Sequence, residues 1–348
     1  MFAEITSSVS PEERLAYARF VSESPAACYF QEPDWPDYAP KAGRTDYLHC
    51  TVRDDTGALR LYGLLRRTRL AGGLWIGAFR RGPVTATPDD LTETLPPLLT
   101  AIRKEGCLTL TMNPRWEDDE ADRATARLDA LGIGVASEDR QTLHDHTGLV
   151  DVRRTPDELS KSFSPNHRRQ VKQAHKKGYL VTDDPGPDPG PTLSRFLGVL
   201  EDRRNFSLAG APSGPGQIAH AQAKGGIVAG VWRNGERIGL FTGLRDANRI
   251  LFMAGGWQDP DAAFPRSPLI LDYLVSRTAG GALPGVDFVD VGGLSPEDAP
   301  DEETSRDRVK MRVSPRRVRL VQVHEIDLRP ALAGAVRNAR PLLRKLRR

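Results

Sequence analysis

The sequence predicts an α/β protein made of two domains of one build, each a mixed, mostly antiparallel sheet flanked by helices. Three observations lead there. At 348 residues the chain exceeds what one ordinary hydrophobic core supports. Its first 145 or so residues alternate in the order strands, helix, strand, helix, strand, which completes a mixed sheet. The remainder then repeats that order, although no residue-level repeat is visible. The expected division is 1–145, 146–330 and a basic tail over 331–348.

The elements follow from local patterns. Residues 11–24 are amphipathic at helical spacing, and Phe30 to Trp35 is a loop with two aromatics. Tyr47 to Arg53 alternates as a strand, and Asp54 to Gly57 is turn chemistry. Ala58 to Thr68 and Gly73 to Arg80 complete an antiparallel meander, broken at Gly82-Pro83. Pro88 to Lys104 is helical in pattern, with Pro96-Pro97 expected to kink or split it. Leu108 to Met112, Asp119 to Leu131 and Ile133 to Ala136 read as strand, helix and strand.

In the second half, Ser164 and Pro165 open a helix that Gly178 closes, and Tyr179 to Val181 leaves as a strand. Thr192 to Asn205 is helical. Gly226 to Trp232 and Arg237 to Leu244 are strands joined by the tight-turn pair Asn234-Gly235. Asn248 to Gly256 is a strand, Pro268 to Thr278 a helix, Val286 to Val291 a strand ending at Gly292-Gly293, and Val318 to His324 a last strand. From Leu328 the pattern is helical.

Composition excludes several classes. Hydrophobic residues make up 39%, with no apolar run of about 18 residues, so no membrane-spanning helix is expected. The start, Met-Phe-Ala-Glu-Ile-Thr-Ser-Ser, lacks a basic region followed by an apolar one, and the expected location is the cytoplasm. Cys28, Cys50 and Cys107 are too widely spaced for a zinc site and read as free buried thiols.

The net charge of +3 is unevenly placed. Lys161, Arg168, Arg169, Lys172, Lys176 and Lys177 fall together with no acid between them. Arg168, Lys172 and Lys176 are spaced by four and share one helix face, while Val171 and Ala174 form a narrow seam that docks it. Such a face suits an anion, and a solvated surface helix is the plain alternative. The tail is basic again at Arg337, Arg340, Arg344, Lys345, Arg347 and Arg348.

Several segments, in their order along the chain, resemble the Fem family of aminoacyl-tRNA-dependent transferases. They are Phe30-Gln31 with Trp35, Arg81-Gly82-Pro83-Val84, the basic helix from Leu159 to Gly178, the hairpin at Asn234-Gly235, Asp290-Val291-Gly292-Gly293 and Val309-Lys310. The family usually has an aromatic where Val309 stands. The resemblance implies two tandem GNAT-like domains and transfer of an amino acid from tRNA to an amine, on a peptidoglycan precursor or a peptide natural product. It also puts the active-site lysine at Lys310 and acceptor contacts at Arg204 and Trp35. The basic helix, with Arg168, Arg169, Lys172, Lys176 and Lys177, is expected to hold the phosphates of tRNA.

Amide formation from an activated ester needs a neutral amine, an oriented ester and donors for the oxyanion, with neither a metal nor a covalent nucleophile. No cofactor beyond the co-substrate is expected. The wedge for the acyl group is expected between Leu251–Gly256 and Val286–Val291. Asp290 reads as a proton acceptor or as the holder of the Gly-Gly turn, and Arg204 as a phosphate fork or an exposed partner of Glu201. His144 and His146 share a strand face and read as structural. Two other functions stay open. An acyl-CoA such as acetyl-CoA is the alternative donor, although the loop from Trp257 to Pro268 carries two acids and no glycine, a poor cradle for pyrophosphate. A non-catalytic binder of RNA or membrane surfaces would use the basic tail.

Overall fold

The computed structural model describes residues 1–39, 43–204, 213–258, 267–297 and 307–336, apart from the side chains at 200–204 and 254. The chain forms two compact units. One holds Met1–Pro36, Lys41–Leu143 and the stretch from Arg319; the other holds Asp37–Pro40 and His144–Val318. The return of the chain to the first unit at Arg319, well before the expected boundary at 330, is the main departure from the sequence reading.

In the first unit, β1 (Phe2–Thr6) precedes α1 (Pro11–Glu23), which Ser10 and Glu13 start as a capping box. A short α2 (Trp35–Tyr38) leads to β2 (Thr45–Arg53), β3 (Leu59–Arg69), β4 (Trp75–Phe79) and the two-residue β5 (Val84–Thr85). Then come α3 (Leu91–Lys104), β6 (Cys107–Met112), α4 (Asp118–Ala130) and β7 (Gly134–Val135). Leu91, Leu95, Leu98 and Ile102 of α3 and Leu128 of α4 are fully buried against Val52, Leu61 and Leu65 of the sheet. Each such side chain contributes about 1.5–3 kcal/mol. Cys28, Cys50 and Cys107 are buried and free, and burial pushes the Cys107 thiol up to about 12.

Contrary to expectation, α3 runs unbroken through Pro96 and Pro97. The two absent N–H groups would have met the carbonyls of Thr92 and Glu93, both exposed residues, where water can take the place of the lost donors.

The second unit runs β8 (His146–Asp151), α5 (Pro156–Ser162), α6 (Pro165–Lys176), β9 (Tyr179–Thr182), α7 (Pro189–Arg204) and α8 (Gly214–Lys224). Then follow β10 (Ile227–Arg233), β11 (Glu236–Asp246), β12 (Arg249–Trp257), α9 (Ser267–Thr278), β13 (Phe288–Gly293) and β14 (Arg316–Arg319). Asn234 and Gly235 take positive φ of 50° and 85°, as the tight hairpin between β10 and β11 requires. Helix α8 carries start and stop signals that the sequence reading passed over: Ser213 caps it, Pro215 lies in its first turn and Gly225 ends it in the left-handed region.

The final strand expected over 318–324 is two strands. Arg316–Arg319 pairs in the second sheet, and β15 (His324–Asp327) pairs in the first.

The two sheets have matching orders. The first runs β1-β2-β3-β4-β6-β15-β7 and the second, from its other edge, β9-β10-β11-β12-β13-β8-β14. In each, four antiparallel strands are followed by one parallel pair, β4 with β6 and β12 with β13. The next place in each sheet is filled across the repeat. β8 follows β7 in sequence but joins the second sheet, and β15 follows β14 but joins the first.

Candidate functional site

The parallel pairing of β12 with β13 covers Arg249–Phe288, Ile250–Val289 and Leu251–Asp290. Beyond Leu251, β12 follows β11 to Trp257, with a bulge at Met253 between the pairs Phe252–Gly243 and Ala254–Thr242. Beyond Asp290, β13 follows β8, where Gly293 faces Thr147. The strands part at Asp290, within the wedge expected from the sequence. A split of this kind bares backbone amides that a paired strand would consume.

Asp290 sits at the split and is 5% exposed. Its Oδ1 accepts the Thr147 hydroxyl at 2.5 Å and the Gly292 amide at 2.8 Å. Those bonds hold the turn, in which Gly292 takes φ +80°. Lys310, on a helical turn over 307–311, donates its Nζ to the Gly293 carbonyl. Burial lowers the Lys310 ammonium from its ordinary value, opposed by the nearby charges of Asp307 and Asp290. Asp307 lies one helical turn before Lys310, is itself buried, and accepts the Ser295 amide at 2.7 Å. Lys310 and Asp290, which the sequence reading named separately, thus meet on one Gly-Gly turn.

Three further residues belong to this place: Thr147 and Asp307, which the sequence reading did not name, and His144, which it read as structural. Thr147 holds Asp290. Asp307 was visible only as the residue a turn before Lys310. His144 precedes β8 and is exposed. Its ring lies so close over Gly293 that a methyl group there would fall 2.0 Å from the ring carbons. Glycine is required at 293 for that approach.

The basic helix forms as expected. Ser164 caps α6 by accepting the His167 amide, and Gly178 follows it at φ +78°. His167, Val171 and Ala174 are its buried face. The row of cations is not uniform. Arg168 Nη1 donates to the carbonyls of Ser160, Lys161 and Phe163, so it caps the end of α5. Arg169 Nη2 donates to Asn166 at 3.0 Å. Lys172 and Lys176 are exposed and make no hydrogen bond or ion pair to described residues, while Lys177 caps the exposed C-terminal end. Arg168, Lys172, His175 and Lys176 line an open groove of about 590 Å³ with Asp272 of α9 in its wall. Arg312 ties α6 to the Lys310 turn: its Nη1 donates to Gln170 at 2.7 Å and its carbonyl accepts the Ser164 amide.

The first-unit motifs pack. Gln31 is fully buried; its Nε2 donates to the Arg80 carbonyl and its Oε1 accepts the Leu64 amide. The Gln31 amide lies across Gly82, where a Cβ would fall 2.3 Å from it, so the early Gln and the Arg-Gly-Pro segment are one contact. Trp35 is 2% exposed, edge-on to Tyr29 and Phe30. Its ring packs within the aromatic cluster of the first unit. Arg204 is the last residue of α7, and its side chain lies outside the described residues. So do most of the loop between Trp257 and Pro268 and the tail from 337.

Two sheets of matching order, each with one parallel pair after an antiparallel meander, make this a tandem GNAT-like fold. It is the fold of FemX, whose crystal structure matches 97% of this chain and 100% of its own with a TM-score of 0.76 at 14% identity. The C-terminal domain (DUF2156) of a putative lysylphosphatidylglycerol synthetase from Agrobacterium fabrum matches 95% of this chain and 97% of its own, with a TM-score of 0.56 at 14% identity. A tandem GNAT protein from the clavulanic acid biosynthesis pathway matches 94% of this chain and 98% of its own, with a TM-score of 0.56 at 12% identity. No family model and no curated protein sequence matches the chain.

Proposed function

We propose that the protein is an acyltransferase that moves an amino acid from aminoacyl-tRNA to an amine of a peptide-type acceptor, a peptidoglycan precursor or a peptide natural product. The observation that carries this reading is the parting of β12 and β13 at Asp290, with Lys310 held at the same turn. Backbone amides along the split orient the ester carbonyl. The Lys310 ammonium, partly desolvated, meets the negative charge that develops on the carbonyl oxygen as the amine attacks. Asp290 fixes the turn that aims Lys310. The FemX-like fold and the segments that resemble those of the Fem family support tRNA as donor, and Lys172 and Lys176 supply cations for its phosphates.

A second reading, an acyl-CoA donor, draws on the likeness to the tandem GNAT protein of the clavulanic acid pathway, whose matched structure is the one without AcCoA. One experiment separates the two. Candidate peptide amines are incubated with the protein and either a pool of charged tRNA or acetyl-CoA, and their mass is followed. An added aminoacyl residue supports the first reading, an added acetyl group the second, and no change with either donor refutes both.

A further inference from the structure

We propose that Asp307 is a positioning residue for Lys310: from the lysine's own helical turn it grips the segment on which the ammonium rests and supplies an opposite charge. The proposal rests on the transfer reading above and names what keeps the cation of that reading aimed and charged. The segment just beyond the split is held at every residue. The Gly292 amide donates to Asp290 Oδ1, and the Gly293 carbonyl takes the Lys310 ammonium. The Leu294 amide donates to the His146 carbonyl, and the Ser295 amide to Asp307 Oδ2. Carboxylates therefore close both ends of the segment, and the lysine sits on a carbonyl between them.

Asp307 and Lys310 are three residues apart on one helical turn, so their side chains leave the same face. One bond to Gly293 and one to Ser295 make that turn a two-point clamp. Neither side chain can swing away without releasing a backbone group. The clamp also has an electrostatic side. Asp307 is 5% exposed, and a buried carboxylate bonded to a neutral amide is poorly compensated unless a cation lies near. Lys310 is that cation. Burial lowers the Lys310 ammonium, and Asp307, more than Asp290, pushes it back up. Asp290 already holds Thr147 and Gly292. The other ionisable groups on the elements packed here are His144, Asp145 and His146, where the chain enters β8, and Arg308 and Arg312 on the turn itself. Arg312 is turned to Gln170. An acid at the start of a helical turn also serves the helix dipole, a role that would not involve the lysine.

Two measurements on the full chain separate these roles. Acetic anhydride acetylates only the neutral amine, so the pH at which Lys310 is half reactive, followed by peptide mass spectrometry, reports its titration. That midpoint should fall by about one pH unit or more in Asp307→Asn, which keeps an acceptor for the Ser295 amide but loses the charge. It should fall less in Asp290→Asn and stay near the wild-type value in Asp307→Glu. An unmoved midpoint in Asp307→Asn, or an equal fall in either of the other variants, overturns the proposal.

With the donor and acceptor found in the mass assay, the alkaline limb of the kcat profile should move down by the same interval in Asp307→Asn, with KM within about threefold of the wild type. An alkaline limb that stays in place overturns the role of Asp307 and leaves the transfer reading standing. No transfer from either donor overturns the transfer reading and the positioning role with it, even where the labelling midpoint moves.

Discussion

Replacing Asp290 separates its hydrogen bonds from its charge. In Asp290→Ala the buried Thr147 hydroxyl and the partly buried Gly292 amide both lose their acceptor. Hydrogen bonds to a charged group contribute about 1.5–3 kcal/mol each, so the pair amounts to about 3–6 kcal/mol of local stability. Asp290→Asn keeps an oxygen in the same place and should cost only about 1–2 kcal/mol, the difference between charged and neutral acceptors. A chain of two units need not unfold in one step, so a global melting curve is the wrong readout. Hydrogen exchange of β8 and β13 reports the local opening free energy directly. The reasoning fails if Asp290→Ala costs less than about 1 kcal/mol there. It also fails if Asp290→Asn is as damaging as Asp290→Ala, because charge rather than hydrogen bonding would then hold the turn.

Lys310→Met should lower turnover by orders of magnitude while stabilising the fold below neutral pH. Burial holds the folded-state lysine below its ordinary 10.5, so carrying the charge costs the folded state at low pH. That cost fades as pH rises through the folded value toward 10.5, and the gain from Met measured by denaturation should shrink over the same window. Reversing Lys172 and Lys176 together to Glu should raise the apparent KM for charged tRNA and leave the choice of amino acid unchanged. Each Lys→Ala should flatten the salt dependence of binding by about one phosphate contact. Activity indifferent to salt would return α6 to a solvated surface helix.

Much of this was legible because it is written locally. The cap at Ser164, the stop at Gly178 and the Asn234-Gly235 hairpin each lie within a few residues, and all form as read. The wedge between β12 and β13 and the lysine beside it followed from motif order. What was not legible depends on pairs far apart in sequence. Whether Arg168 faces a ligand or caps α5 is decided by three carbonyls of the preceding helix, not by its spacing to Lys172. The seat of the His144 ring over Gly293 joins segments far apart in sequence and could not be read from either alone. That Trp35 is buried edge-on to Tyr29 and Phe30 could not be read from its place in a loop. The strand at the chain's end was misplaced because composition cannot tell which sheet has a vacancy.

That exchanged strand governs how the molecule can be made. Thr109 of β6 and Asp327 of β15 are bonded partners 218 positions apart. During synthesis β6 leaves the ribosome with its β15 edge empty and stays so until almost the whole second unit has followed. Closing so long a loop is slow, and an open strand edge in the meantime invites pairing with another chain. The first half is therefore not a self-sufficient folding unit, although it holds most of a sheet and a core. Residues 1–143 expressed alone should aggregate or open readily at β6 and β7. A synthetic peptide of residues 319–330 should rescue them by docking as a donated strand, read as recovered exchange protection along β6. Failure of the peptide to protect β6 would mean that the sheet closes without it.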